Sequence, residues 1–273
     1  MWQTIGHKNQ KLFLENALKT DKISHAYLFA GPSEVGKRTL ALEFANKILG
    51  SEISASTNAK MNPDLILQTK EQNKIEDIRN LIHELSMKPY SHQYKVAIID
   101  DFENITEEAA NSILKTLEEP NPSTIIILIA QNKKHLLPTV LSRCQVLDFN
   151  RLEPKELGAE KLAHLFNGKI GKKIRFDQDK DFQEQLIAQS VELQEIKKQS
   201  IAGRLLAIKN YAEMESAELQ EVFENWLDQE HYQFIRTTPQ KFKNPSLLVE
   251  AISGLHQNFN KKLVLEKLFL NLA

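Results

Sequence analysis

The sequence predicts an α/β fold: a parallel sheet between helices over residues 1–150, then an all-helical remainder. Three observations carry this. Short runs in the first part are apolar throughout rather than alternating, as strands covered on both faces are. Helical stripes separate those runs. After Asn150 no convincing strand follows, and helical spacing alone persists.

Taken in order, Ala26–Ala30 is an apolar run that ends at Gly31-Pro32 and reads as a buried strand. From Lys37 to Leu49, Leu40, Leu42, Phe44, Ala45 and Ile48 fall near helical spacing. Leu65 to Leu67 is a second strand, and Ile75, Ile78, Leu81, Ile82 and Leu85 mark the next helix. Val96 to Ile99 runs into Asp100-Asp101. A helix follows on Ala109, Ala110, Ile113, Leu114 and Leu117, with Thr106 as its N-cap and Glu107 and Glu108 in the first turn. Pro120 and Pro122 stop it. Ile125 to Ile129 and Gln145 to Phe149 complete the strands, with a helical stretch from His135 to Leu141 between them. Further on, Phe223, Trp226 and Leu227, and Leu263, Leu265, Leu268 and Phe269, form helical stripes that read as core. Gly168 to Lys173 reads as a solvated linker, and Lys133-Lys134-His135 as a solvated loop.

Composition narrows the function. Of 273 residues, 41% are hydrophobic and 26% charged, enough for a proper core and against disorder. Lys plus Arg is 35 against 36 for Asp plus Glu, whereas a chain that grips DNA alone carries a basic excess. The single cysteine, Cys144, excludes an internal disulfide and a cysteine-based zinc site. The first residues lack a basic-then-apolar signal pattern, and no apolar run nears the roughly 20 residues that span a bilayer. The expected location is the cytoplasm, with no membrane contact.

Gly31-Pro32-Ser33-Glu34-Val35-Gly36-Lys37 fits the first seven positions of the phosphate-binding loop, after a strand and before a helix. The glycines, Gly31 and Gly36, let backbone N–H groups turn towards phosphates, and Lys37 reaches the outer ones. The eighth position calls for Ser or Thr, whose hydroxyl ligates magnesium; here it is Arg38, which has no lone pair to give. Thr39 is about 100° further round the helix. Asp100 ends its strand where a carboxylate orients magnesium. Asp101 stands where such ATPases place a longer glutamate, and a misplacement of about 1 Å costs on the order of a hundredfold. Two readings stay open: an inherited structural turn that holds nucleotide weakly or not at all, or a working site. Ser142-Arg143-Cys144 precedes the last strand. Arg143 is either a solvated surface residue or a charge lent to a neighbouring subunit's site.

Several strings, taken together, resemble the bacterial DNA polymerase III clamp-loader subunits of the AAA+ ATPase-fold family. They are Ser24 to Phe29, Gly31 to Lys37, Asn62-Pro63-Asp64, Lys95 to Asp101, Glu107 to Pro120 and Ser142-Arg143-Cys144. Within that group His25 to Phe29 and Asn260 to Leu268 are most similar to the delta-prime branch. The resemblance is firm over about residues 1–154. It implies an AAA+ core (1–150), a helical lid (151–173) that is short here, and a helical collar (174–273). It implies a hetero-oligomeric ring with motor and delta subunits that opens a sliding clamp and places it on primer–template DNA. It implies that Arg143 acts in trans, and that Asn132 is the candidate polar sensor of phosphate. The family's zinc module has no cysteines here; Ile53 to Ala59 occupies its place, so no zinc is expected. ATP is expected to bind weakly or not at all. The alternative is an active motor ATPase of the gamma/tau kind, supported by Gly36-Lys37 and Asp100.

Overall fold

The computed structural model describes residues 2–50, 62–69, 75–236 and 244–272. Its contacts divide the chain into two units, Met1–Leu152 and Glu153–Ala273. Ile53 to Ala59, in the place of the family's zinc module, lies outside the described residues.

The first unit runs α1 (Lys8–Lys19), β1 (Ala26–Ala30), α2 (Lys37–Leu49), β2 (Leu65–Gln68), α3 (Ile75–Ser86), β3 (Lys95–Ile99), α4 (Glu107–Glu118), β4 (Thr124–Ala130), α5 (Pro138–Leu141) and β5 (Gln145–Asp148). All strand pairs are parallel, in the order β2-β3-β4-β1-β5. Every residue of β1, β3 and β4 is buried, which is why the runs Ala26–Ala30, Val96–Ile99 and Ile125–Ala130 are apolar without alternation. Successive side chains enter opposite cores. Tyr27, Phe29, Ile125, Ile127 and Ile129 pack with Leu40 and Phe44 of α2. Leu28, Ile126 and Leu128 pack with Ile78 and Leu81 of α3 and Ile113 and Leu117 of α4.

Thr106 caps α4, its side-chain oxygen accepting the Ala109 N–H at 3.2 Å, with Glu107 and Glu108 in the first turn. The helix expected from His135 to Leu141 is instead two short pieces: a 3-10 turn at Lys133–His135 and the four-residue α5. Pro138 explains the break. It disfavours helical backbone at the residue before it, and Leu137 is extended at ψ 132.

Asp64, just before β2, is fully buried and holds the loop that leads into β3. Its carboxylate accepts the N–H groups of Tyr90 (2.6 Å), Ser91 (2.9 Å) and His92 (3.0 Å), and meets His92 Nδ1 at 2.8 Å. Burial pushes the carboxyl pKa up. The Tyr90, Ser91 and His92 donors together outweigh burial and hold it down at about 2. A depressed carboxylate pKa stabilises the fold above the ordinary carboxylate range, and that contribution disappears as pH falls through the folded value. Asp64→Asn should therefore cost on the order of 2 kcal/mol in urea unfolding at pH 7. The gap between variant and parent should close as the pH approaches about 2. A gap independent of pH would contradict this.

The second unit holds α6 (Pro154–Leu157), α7 (Ala163–Phe166), α8 (Ile170–Gln178), α9 (Lys180–Lys198), α10 (Ile201–Glu213), α11 (Ser216–Arg236), α12 (Asn244–His256) and α13 (Lys261–Asn271). No strand occurs in it among the described residues. Phe223 and Trp226 are core residues, as their spacing implies; they pack with Tyr211, Leu248, Leu265 and Phe269. Trp226 Nε1 donates to the Gln189 carbonyl at 3.0 Å. Leu263 departs from its stripe and is exposed. It lies two residues from Leu265, about 200° round the helix.

Gly168 to Lys173 is not a solvated linker. Asn167 and Gly168, both at positive φ, make a turn, and α8 begins at Ile170. Lys169 and Lys172 point inward, their ammonium groups 2.8 and 3.0 Å from Asp228 of α11. Asp228 is buried, and a buried carboxylate needs cations brought to it. Sequence spacing does not reveal a partner some 60 residues away.

Candidate functional site

The loop between β1 and α2 is shaped by two glycines. Gly36, at φ 101, caps α2. Gly31, at φ 152, donates its N–H to the Ala130 carbonyl at 3.1 Å. A Cβ on Gly31 would lie 2.1 Å from the Phe149 carbonyl oxygen, so only glycine lets β5 pass this close. Lys37 is buried and folded across its own loop, with Nζ donating to the Gly31 and Pro32 carbonyls at 2.5 Å each. Any phosphate must compete with those two carbonyls for the ammonium. His7 supports the loop from the other side. Its Nε2 lies 2.7 Å from the Val35 carbonyl, and its ring packs edge-on against Phe149 at 4.8 Å. That contact requires a proton on Nε2, because a carbonyl only accepts. No spacing rule singles out His7 among eight histidines.

β4 lies between β1 and β3, so Asp100, just past β3, sits one strand away from the loop strand. Arg38 reaches it: Nη1 is 3.7 Å from the Asp100 carboxylate, an ion pair longer than a hydrogen bond. Thr39 is half-buried on α2. Asp101 is in the left-handed region at φ 58. It donates its N–H to Asp100 at 3.0 Å, and its carboxylate accepts the Asn104 side-chain amide at 2.9 Å. It is thus folded into the turn Phe102–Asn104. Asn132, past β4, spends its carbonyl oxygen on the Lys134 N–H at 3.0 Å. Glu103, which the sequence did not single out, ties that strand end to the turn by accepting the Gln131 N–H at 2.9 Å.

Arg143 stands between α5 and β5, its side chain 31% exposed. Nη1 donates to the Thr139 carbonyl (2.8 Å) and Ser142 Oγ (3.1 Å), and Nη2 to the Glu118 carboxylate. Burial pushes the neighbouring Cys144 thiol up to about 12, and it packs against the core. It is a filler, not a nucleophile.

A glycine loop after the first strand, an acid past a strand one place removed, and an all-parallel sheet define the phosphate-loop ATPase fold of the AAA+ class. A DNA polymerase III gamma-subunit-related protein of Thermotoga maritima has the same fold. Its crystal structure matches 94% of this chain and 97% of its own at TM-score 0.54 and 18% identity. The family model described as DNA polymerase III, delta subunit, matches residues 6–153, more than half of the sequence. The chain belongs to that family. Subunit delta' of Bacillus subtilis is 35% identical over 170 residues, covering 57% of this chain and 52% of the relative. Subunit tau of the same organism is 34% identical over 161 residues, 54% of this chain and 28% of the relative. The matched stretch thus spans about half of one relative and about a quarter of the other, and identity does not separate the two.

Magnesium is the metal this fold class implies, and the residues present do not fit it. It demands oxygen ligands in near-octahedral geometry. The position that supplies an alcohol holds a guanidinium, and that cation already faces Asp100. Among the described residues no helix is long and apolar enough to cross a membrane.

Proposed function

We propose that this chain is a non-hydrolysing, delta-prime-like subunit of the bacterial clamp loader that lends Arg143 to the ATP site of an adjacent motor subunit. Its partners in this reading are motor and delta subunits in a ring, the sliding clamp, and primer–template DNA reached through the assembly in the cytoplasm. Residues 151–173 act as a short lid that continues through α8 (Ile170–Gln178) into the collar, 174–273. The observation that carries the reading is Arg38 facing Asp100 at 3.7 Å. Asp101 folded into its own turn and Lys37 held by loop carbonyls agree with it. ATP, where it meets Gly31, Gly36 and Lys37, is held weakly and without metal.

The test of the trans role is ATP turnover by the reconstituted ring carrying Arg143→Ala. Slower turnover in an intact ring supports the role, and unchanged turnover ends it. The cis defect has its own test. Equilibrium ATP binding by the parent chain should not tighten when magnesium is added. Arg38→Thr, which restores the alcohol and removes the guanidinium from Asp100, should tighten it about tenfold with magnesium. Magnesium-tightened binding and phosphate release by the parent would overturn the non-hydrolysing reading.

A further inference from the structure

We propose that Glu118 stows Arg143, holding its guanidinium on the chain's own surface until a neighbour's phosphates displace the carboxylate. This rests on the reading that Arg143 serves a neighbouring site. The argument begins with α4. Glu118 is its last residue and Glu119 follows, while Lys115 is the only basic residue of the last turn. A helix C-terminus carries partial negative charge, so two acids there are poorly placed unless a cation is brought to them. Arg143, 25 residues further on, is that cation, and Nη2 donates to the Glu118 carboxylate.

The remaining contacts define the stowed pose. Nη1 is held by the Thr139 carbonyl and Ser142 Oγ, so both terminal nitrogens are engaged within the chain. A carboxylate and a phosphoryl oxygen make the same kind of charge-assisted contact with a guanidinium. Glu118 is therefore a resident stand-in for the anion that Arg143 meets in an assembled site. With side chains 31% and 49% exposed, the pair is weak and readily exchanged. Such a stow lowers the apparent affinity of the completed site by the fraction of time Arg143 is withheld. The expected factor is modest, about two- to fivefold.

The experiment uses the full chain and its Glu118→Gln variant with an arginine-selective dicarbonyl reagent, read by mass at the peptide that carries Arg143. Modification of Arg143 should be about two- to fivefold faster in the variant. In the parent it should accelerate with added salt, which screens the pair; in the variant it should not. Modification of Arg175 and Arg236 reports any general loosening and should be the same in both. In the reconstituted ring the variant should lower the neighbour's KM for ATP by a similar factor while changing kcat less. An unchanged rate at Arg143 overturns the stow even where Arg143→Ala still slows the ring. Faster modification of Arg143, with Arg143→Ala leaving turnover unchanged, keeps the stow and removes the trans role. Faster modification with an unchanged KM overturns the displacement by phosphate.

Discussion

On the proposed trans role of Arg143, rings reconstituted with Arg143→Ala should hydrolyse ATP on the order of 1,000-fold more slowly at the neighbouring site. The size of the effect follows from what a guanidinium does there. In that role it would supply fixed positive charge and two aligned donors to oxygens that gain charge as the phosphoryl group transfers. Arg143→Lys separates charge from geometry. An ammonium keeps the charge but loses the planar fork, so it should recover only part of the rate. The ring itself should survive either change. Arg143 is a partly exposed side chain whose contacts are the Thr139 carbonyl, Ser142 and Glu118, and surface substitutions of that kind shift stability by about half a kcal/mol. Sedimentation of the assembled ring checks this, and single-turnover hydrolysis checks the rate. Full turnover in an intact Arg143→Ala ring would leave Arg143 with only its surface contacts.

What could be read from the chain alone was whatever one strand or one helix determines for itself. β1, β3 and β4 are buried on both faces, so their residues are apolar except at the first positions of β3 and β4, Lys95 and Thr124, whose polar ends donate to the Glu84 and Leu85 carbonyls, and Thr106 caps its helix through an N–H only three residues away. Features set by distant partners were not legible. Lys169 and Lys172 look like solvent-facing charges until Asp228 is placed beside them. His7 is an ordinary histidine until the Val35 carbonyl arrives. The candidate site divides the same way. The absence of an alcohol at position 38 is visible in the sequence, and the meeting of Arg38 with Asp100 is not, because it depends on β4 lying between β1 and β3. The sequence shows only that Asp101 is one methylene shorter than glutamate. The structure adds that its backbone is left-handed and its carboxylate is engaged with Asn104. Pro138 was a missed local signal, since a proline inside a short apolar stretch already argues against a continuous helix.

Gly31→Ala should be strongly destabilising. The added Cβ would sit 2.1 Å from the Phe149 oxygen and 2.9 Å from the Phe149 carbonyl carbon, both backbone atoms that no rotamer change can move. Relief requires β5 to shift away from β1, although Phe149 donates its N–H to the Ala30 carbonyl at 2.7 Å and its ring is buried in the core with Leu147. Overpacking costs about 1–3 kcal/mol. A side chain forced to φ 152 adds a further strain of about 1–3 kcal/mol, so a loss of about 2–6 kcal/mol is expected in urea unfolding. Gly50→Ala is the control. Gly50 is also at positive φ, 60, but a Cβ there meets nothing within 4 Å, so only the backbone term remains, about 1 kcal/mol. The contrast has a functional side. β5 starts two residues after Arg143, so a displaced β5 should disturb the phosphate loop and the arginine together. Equal stability losses for the two variants would mean that β5 does not hold the loop this tightly.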